Sequence, residues 1–209
     1  NGTLTLTEAW IQSSTSGGTS TLNAKGPISV GAGFDGGYLT GTANVSALLI
    51  DGAGDQSFAI PAGAAMPKTT LNQAATTIST SGAGTVTFDG LFTLQAGTFT
   101  GGSVTVDHDG TSGSLTISGG TYNATSATTF IGQNFTVSGT GAFAEGTGTV
   151  TFDTNSNATL NANVSETFNN LTFNKASGFG TTISDGDTVT VNGTLTLTEA
   201  WIQSSTSGG

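Results

Sequence analysis

Residues 149–191 read TVTFDTNSNATLNANVSETFNNLTFNKASGFGTTISDGDTVTV, and within them short runs that alternate apolar with small polar residues return at regular distances. Val150-Thr151-Phe152, Leu171-Thr172-Phe173 and Val189-Thr190-Val191 each set a Thr between two apolar residues. A period of two over three to five residues marks a short strand with one buried face, and the β-branched Thr suits the outward positions. From Val150 to Leu171 is 21 residues and from Leu171 to Val189 is 18, close to the roughly 20 residues of one solenoid coil. The expected fold is therefore all-β, a parallel β-solenoid in which each strand pairs with the one a coil later. The alternative is a chain of small antiparallel β-sandwich modules, which pair sequence neighbours through hairpins and typically need about 100 residues each.

Working outward, the same alternation appears at Leu4-Thr5-Leu6, Ile28-Ser29-Val30, Val86-Thr87-Phe88, Val104-Thr105-Val106, Leu115-Thr116-Ile117, Phe135-Thr136-Val137 and Leu195-Thr196-Leu197. Gly119-Gly120, Ser138-Gly139 and Asn192-Gly193 supply corners where a small residue takes positive φ without a Cβ clash. Residues 64–80 depart from the pattern. They contain no Gly, and Leu71, Ala74, Ala75 and Ile78 after Pro67 follow helical spacing, so a short helix or bulged loop competes there with a Thr-rich strand. At about 4.8 Å per coil, nine or ten coils would give roughly 45 Å of axial rise.

Two repeats organise the chain. Residues 1–18, NGTLTLTEAWIQSSTSGG, recur letter for letter as residues 192–209, an offset of 191. The simplest reading is one period of a longer tandem array plus an overlap; in a free-standing subunit, the identical ends could instead exchange strands between copies. Inside the period, GAGTVTFD at 82–89 recurs as GTGTVTFD at 146–153, a shift of 64, and a weaker match begins at Gly18. The chain 1–209 thus reads as one continuous solenoid unit with sub-repeats 18–81, 82–145 and 146–208.

The 209 residues contain three Lys, no Arg and 13 Asp and Glu, for a net charge of -10. That balance argues against nucleic-acid binding and a basic membrane-surface patch. There is no Cys, hence no disulfide or thiolate chemistry, and no run approaches the roughly 18 apolar residues of a membrane span. Thr (42), Ser (22) and Gly (33) make up almost half the chain while charged residues are 8%. Stacked coils explain this scarcity, because a charge repeated every ~4.8 Å would repel its neighbours.

The phrases Gly148-Thr149-Val150-Thr151-Phe152-Asp153, Thr167-Phe168-Asn169-Asn170-Leu171-Thr172-Phe173-Asn174 and Thr188-Val189-Thr190-Val191-Asn192-Gly193-Thr194-Leu195-Thr196-Leu197-Thr198 resemble repeats of large bacterial surface proteins. These are similar to filamentous-haemagglutinin-type and autotransporter-type passenger regions. The resemblance is clearest over 82–209 and implies a right-handed parallel β-helix displayed outside the cell as an adhesin or fibre.

Candidate chemistry is sparse. His108 is the single His and so the one possible base of a Ser-His-Asp triad, but no nucleophile elbow is present and a Gly-rich corner at Asp107-His108-Asp109-Gly110 explains it just as well. Enzymes resembling pectate lyases use Arg, which this chain lacks, and the Asp clusters of those resembling polygalacturonases are not matched by its scattered Asp; the expectation is not an enzyme. Calcium is the one metal to consider, with Asp107 and Asp109 the best pair and Asp185 with Asp187 or Asp51 with Asp55 behind it, each set on a Gly-containing turn. The competing reading is Asp bonding nearby backbone. No other cofactor is expected.

Asn-x-Ser/Thr occurs at Asn1, Asn44, Asn123, Asn134, Asn157, Asn163, Asn170 and Asn192, either glycan acceptors or members of Asn and Thr ladders. Trp10, its copy Trp201, Tyr38 and Tyr122 are candidate surface aromatics for self-association or sugar contact. In Glu8-Ala9-Trp10-Ile11-Gln12 the alternation sets Ala9 with Ile11 inward and Trp10 outward. The expected role is a structural unit of an extracellular filament or surface stalk, with copies of itself as partners, head to tail and in lateral bundles. An adhesin module reading a surface glycan or receptor is the alternative, and a polysaccharide-active enzyme the remote one.

Overall fold

The computed structural model describes residues 2–7, 20–36, 47–108, 113–198 and 200–205. Among them there is no helix, and the strands stack in parallel as a β-solenoid of about eight turns. No helix long and apolar enough to cross a membrane occurs among the described residues.

Strands β1 (Leu4–Leu6), β2 (Thr21–Ala24), β3 (Ile28–Val30), β4 (Ala47–Ile50) and β5 (Phe58–Pro61) belong to the first coils. Next come two long strands, β6 (Ala65–Ser81) and β7 (Thr85–Thr100). Each bends around all three sides of a coil. Shorter triplets follow: β8 (Thr105–His108), β9 (Leu115–Ile117) and β10 (Thr121–Asn123); β11 (Thr128–Ile131), β12 (Phe135–Val137) and β13 (Ala142–Ala144). After β14 (Thr149–Phe152), β15 (Ala158–Asn161) and β16 (Ser165–Phe168) come β17 (Asn170–Asn174), β18 (Gly180–Ile183) and β19 (Thr188–Val191). β20 (Leu195–Thr198) and β21 (Trp201–Ser204) form the last described coil.

Register defines the three sides. The first runs through the starts of β6 and β7 into β8, β11, β14, β17 and β20. The second runs from β2 and β4 through the middles of β6 and β7 into β9, β12, β15, β18 and β21. The third joins β5 to the ends of β6 and β7 and then to β10 and β13, with β16 paired to β19 beyond them. Every pair among the described strands is parallel, which removes the antiparallel-sandwich alternative.

Coils are longer than expected. Partner residues are 20 apart at Thr85↔Thr105 and 26 apart at Thr21↔Ala47, so there are about eight turns and not nine or ten. At ~4.8 Å per coil the axial rise is about 40 Å. Val150 does pair with Leu171, but Leu171 pairs with Leu195, 24 residues on, while Val189 pairs with Glu166 on another side. The 64-residue shift from Thr85 to Thr149 is three coils on the first side, through Thr105 and Thr128. The match at Gly18 does not extend this: Leu22 stands on the second side, whereas Val86 and Val150 stand on the first.

The segment expected as a helix or bulged loop falls almost wholly within strand β6, Ala65–Ser81. Register shifts at Pro67/Thr69, Leu71/Asn72 and Asn72/Thr77 turn β6 around its corners, and the shifts insert residues that mimic helical spacing. In β7 the matching corner is Gly97 at φ 87°, where a Cβ would lie 2.5 Å from the Gln73 carbonyl oxygen; only Gly fits so close a backbone approach.

The core is a set of columns. On the first side Val86, Val106, Thr129, Val150 and Leu171 follow one another, beside Phe88, His108, Ile131, Phe152 and Phe173. On the third, Phe99, Tyr122 and Phe143 stack at centroid distances of 4.6 and 5.8 Å. Each ring covers the one below, so modest apolar content still gives fully buried side chains.

Candidate functional site

Two features of the surface could carry function: the outer polar rows, and the end of the solenoid at β19–β21.

The outer rows are ladders that brace successive coils. Thr151, Thr172 and Thr196 stand in one row, and Asn side chains at the corners bond backbone of the adjacent coil. Asn134 Oδ1 accepts from Thr159 N at 2.9 Å, Asn155 Oδ1 from Ala176 N at 2.9 Å and Asn157 Oδ1 from Gly180 N at 3.2 Å. Asn170 accepts from Thr194 N at 2.8 Å and donates to Gly148 O at 3.4 Å, bridging three coils. Asn163 donates to Gly139 O at 3.4 Å, and Asn123 to Thr100 Oγ1 at 3.3 Å. Asn192 is exposed, and Asn1 and Asn44 lie outside the described residues. Most of the described candidate acceptors thus sit in inter-coil ladders; among the described residues Asn157, Asn163 and Asn192 are the exposed ones.

Three of the candidate carboxylates, Asp51, Asp55 and Asp187, have protein partners. Asp51 pairs with Lys25 Nζ at 2.6 Å. Asp55 accepts from Ser57 N at 2.8 Å and from its hydroxyl, which holds its carboxyl below the usual range. Asp187 accepts from Ala162 N at 2.6 Å and Val164 N at 2.8 Å, clamping a corner where Asn163 and Val164 take positive φ. Asp107 is on the outer row of β8 between Thr87 and Phe130, and Asp109 lies outside the described residues. Among the described residues no group of three or more His, Cys, Asp or Glu could hold a metal ion. Burial, followed by Asp35, raises the Asp89 carboxyl, and burial with Glu145 raises Glu166 against the Thr167 backbone bond.

The aromatic candidates separate. Trp10 and Tyr38 lie outside the described residues. Tyr122 is fully buried, so it is not a surface contact: it stacks on Phe99 and bonds His108 Nε2 at 2.9 Å. His108 is itself a core residue, stacked on Phe88 at 4.9 Å, and burial pushes its pKa down to about 3. It stays neutral and has no access to a substrate. Burial likewise raises Tyr122. Trp201 is half-buried on the outer row, its ring over Gly180, while Ala200 and Ile202 pack against the core.

Spacing alone missed other residues that lock coils together, among them Asn155 and Asn169, which donates to Thr147 O and Gly148 O of the coil before; at Asp187 the backbone-bonding reading is the one that holds. Gln56 is buried and donates to Ala24 O and Gly26 O while accepting from Gly52 N. Lys175, 2% exposed, donates to Thr154 O and Ser156 O at 3.1 and 3.0 Å.

At the end of the stack burial fades. β20 continues the inner column of Leu171 and Phe173 with Leu195 and Leu197, yet these are 49% and 50% exposed. No protein-family model, curated protein or solved structure matches the chain.

Proposed function

We propose that this chain is a structural unit of an extracellular filament or surface stalk, acting through length and stiffness. The observation that carries the reading is the parallel ladder itself. It runs coil on coil, and on the first side its last described strand, β20, has an open apolar side and the sequence that also stands at β1. A rod of this kind gains rigidity from each added coil through stacked rings and Asn ladders, and each coil stacked on the last covers a strand edge that would otherwise stand free. The resemblance to bacterial surface repeats supports an exported location and a β-helix of that family's kind.

Electron microscopy of the native protein together with denaturing electrophoresis tests the reading. Rods lengthening by about 40 Å per unit are expected, whether from long covalent chains or from exchanged subunits near 20 kDa. Separate globules on flexible tethers would overturn it. An adhesive role is favoured only by Trp201, whose ring sits on the outer row; a glycan-array signal abolished by Trp201→Ala would select it.

A further inference from the structure

The identical segments at the two ends of the period show complementary halves of one strand's surroundings. In the first, Leu4-Thr5-Leu6 pairs forward, with Leu4↔Ile28, Thr5↔Ser29 and Leu6↔Val30, and Leu6 is 4% exposed. In the second, Leu195-Thr196-Leu197 pairs backward, with Leu171, Thr172 and Phe173, and Leu197 is 50% exposed. Both partners are 24 residues away. A parallel strand has two edges, so the same three residues can use both at once.

We infer that the free edge of β20 is filled by the β3 strand of a following copy of this unit, in the register Leu195↔Ile28, Thr196↔Ser29 and Leu197↔Val30. The occupant is fixed by sequence identity: the residues that leave Leu197 open are those that, at β1, hold β3 against them. This rests on the filament reading and adds the joint between units.

The joint sets a rotation. From β1 the third side is followed through β3, β5, the ends of β6 and β7, β10, β13 and β16 to β19, which is eight steps. β20 then stands one side further, on the first. One period therefore advances by about a third of a turn beyond eight whole turns, and a given surface residue returns to the same side only after three units.

The test uses the whole chain followed directly by a second copy of residues 19–209, so that the shared segment occurs once at the joint. The absence of native Cys makes a disulfide unambiguous, and in-register parallel neighbours lie within the Cα separation a disulfide spans. Thr196→Cys with Ser29→Cys in the second copy should cross-link nearly completely on oxidation, seen as a mobility shift lost on reduction. Thr172→Cys with Thr196→Cys, already neighbours, reports that the coil has folded. A rod in which Thr172–Thr196 closes but Thr196–Ser29 does not overturns the joint alone. Two beads on a tether would overturn the filament reading with it.

Discussion

The central coils and the last coil carry the same alternation and reach different burial. Val150 and Phe152 in β14 are 3% and 0% exposed, and Leu171 and Phe173 in β17 are 1% each, whereas Leu195 and Leu197, next in the same columns, are half exposed. Alternation decides which side chains point inward. Burial comes from the coil stacked on top. In a solenoid the core is thus a property of neighbouring coils, and the cost of a substitution should depend on how many coils cover the site.

The largest contrast is expected at the centre. Phe92 is fully buried with Phe88 at 4.7 Å and Phe99 at 5.4 Å. Phe92→Ala should lower unfolding stability by about 3–5 kcal/mol, read from denaturant midpoints. A loss no larger than that of an end-coil substitution would break the comparison, since it would mean that the centre unfolds as easily as the edge.

Acid should find the centre before the end. His108 has a folded pKa of about 3 against 6.5 in the open chain. Below pH 6.5 the unfolded chain takes up a proton that the folded chain refuses, so this residue makes stability fall as pH drops from 6.5 toward 3 and leaves it unchanged above. The limiting slope is about 1.4 kcal/mol per pH unit. Glu166 and Asp89, with raised pKa values, act in the opposite sense, favouring the fold as pH falls through their folded pKa. Subtracting the pH profile of His108→Phe isolates the His contribution. Parallel profiles for the two proteins between pH 4 and 6 would place His108 outside the core.

Between centre and end stands Asn170. Its Oδ1 accepts from Thr194 N on the last coil, and its Nδ2 donates to Gly148 O on the coil before. Asn170→Ala should cost about 1–2 kcal/mol and should speed hydrogen exchange at Thr194 and in β20 while leaving β11 and β14 protected. Uniform acceleration along the rod would show that the coils unfold as one block and that the end has no separate stability.

Much of this was legible beforehand, for identifiable reasons. Val86-Thr87-Phe88 and its kin announce inward and outward positions because a strand's period is two whatever it packs on. Tyr122, flanked by Thr121 and Asn123, carried the same inward signal. The expectation of a surface contact there fails because a lone aromatic among polar residues suits a surface as well as a core, and only the stacked coils decide between them. Partner choice was harder: Leu171 meets Leu195 and not Val189, because β16 and β17 are separated by Asn169 alone and one coil spends its residues unequally among the sides. The ladder role of Asn134 or Asn155 depends on that register and has no local signature. At β6, register shifts at the corners displaced the period of two and produced helix-like spacing.

The smallest effect is the most discriminating. Leu197 belongs to the same column as Phe152 and Phe173, but half its surface faces water, so in the single unit Leu197→Ala should cost about 0.5–1 kcal/mol, much less than the 2–5 kcal/mol of a covered Leu. Joined to a following copy, the same side chain should become as enclosed as Leu6, and the substitution there should approach the central value. Comparing the two costs by denaturant unfolding measures what one added coil contributes. Equal small losses in both forms would mean that the alternation at the end of the period never acquires a cover, and that the exposed leucines belong to the finished surface.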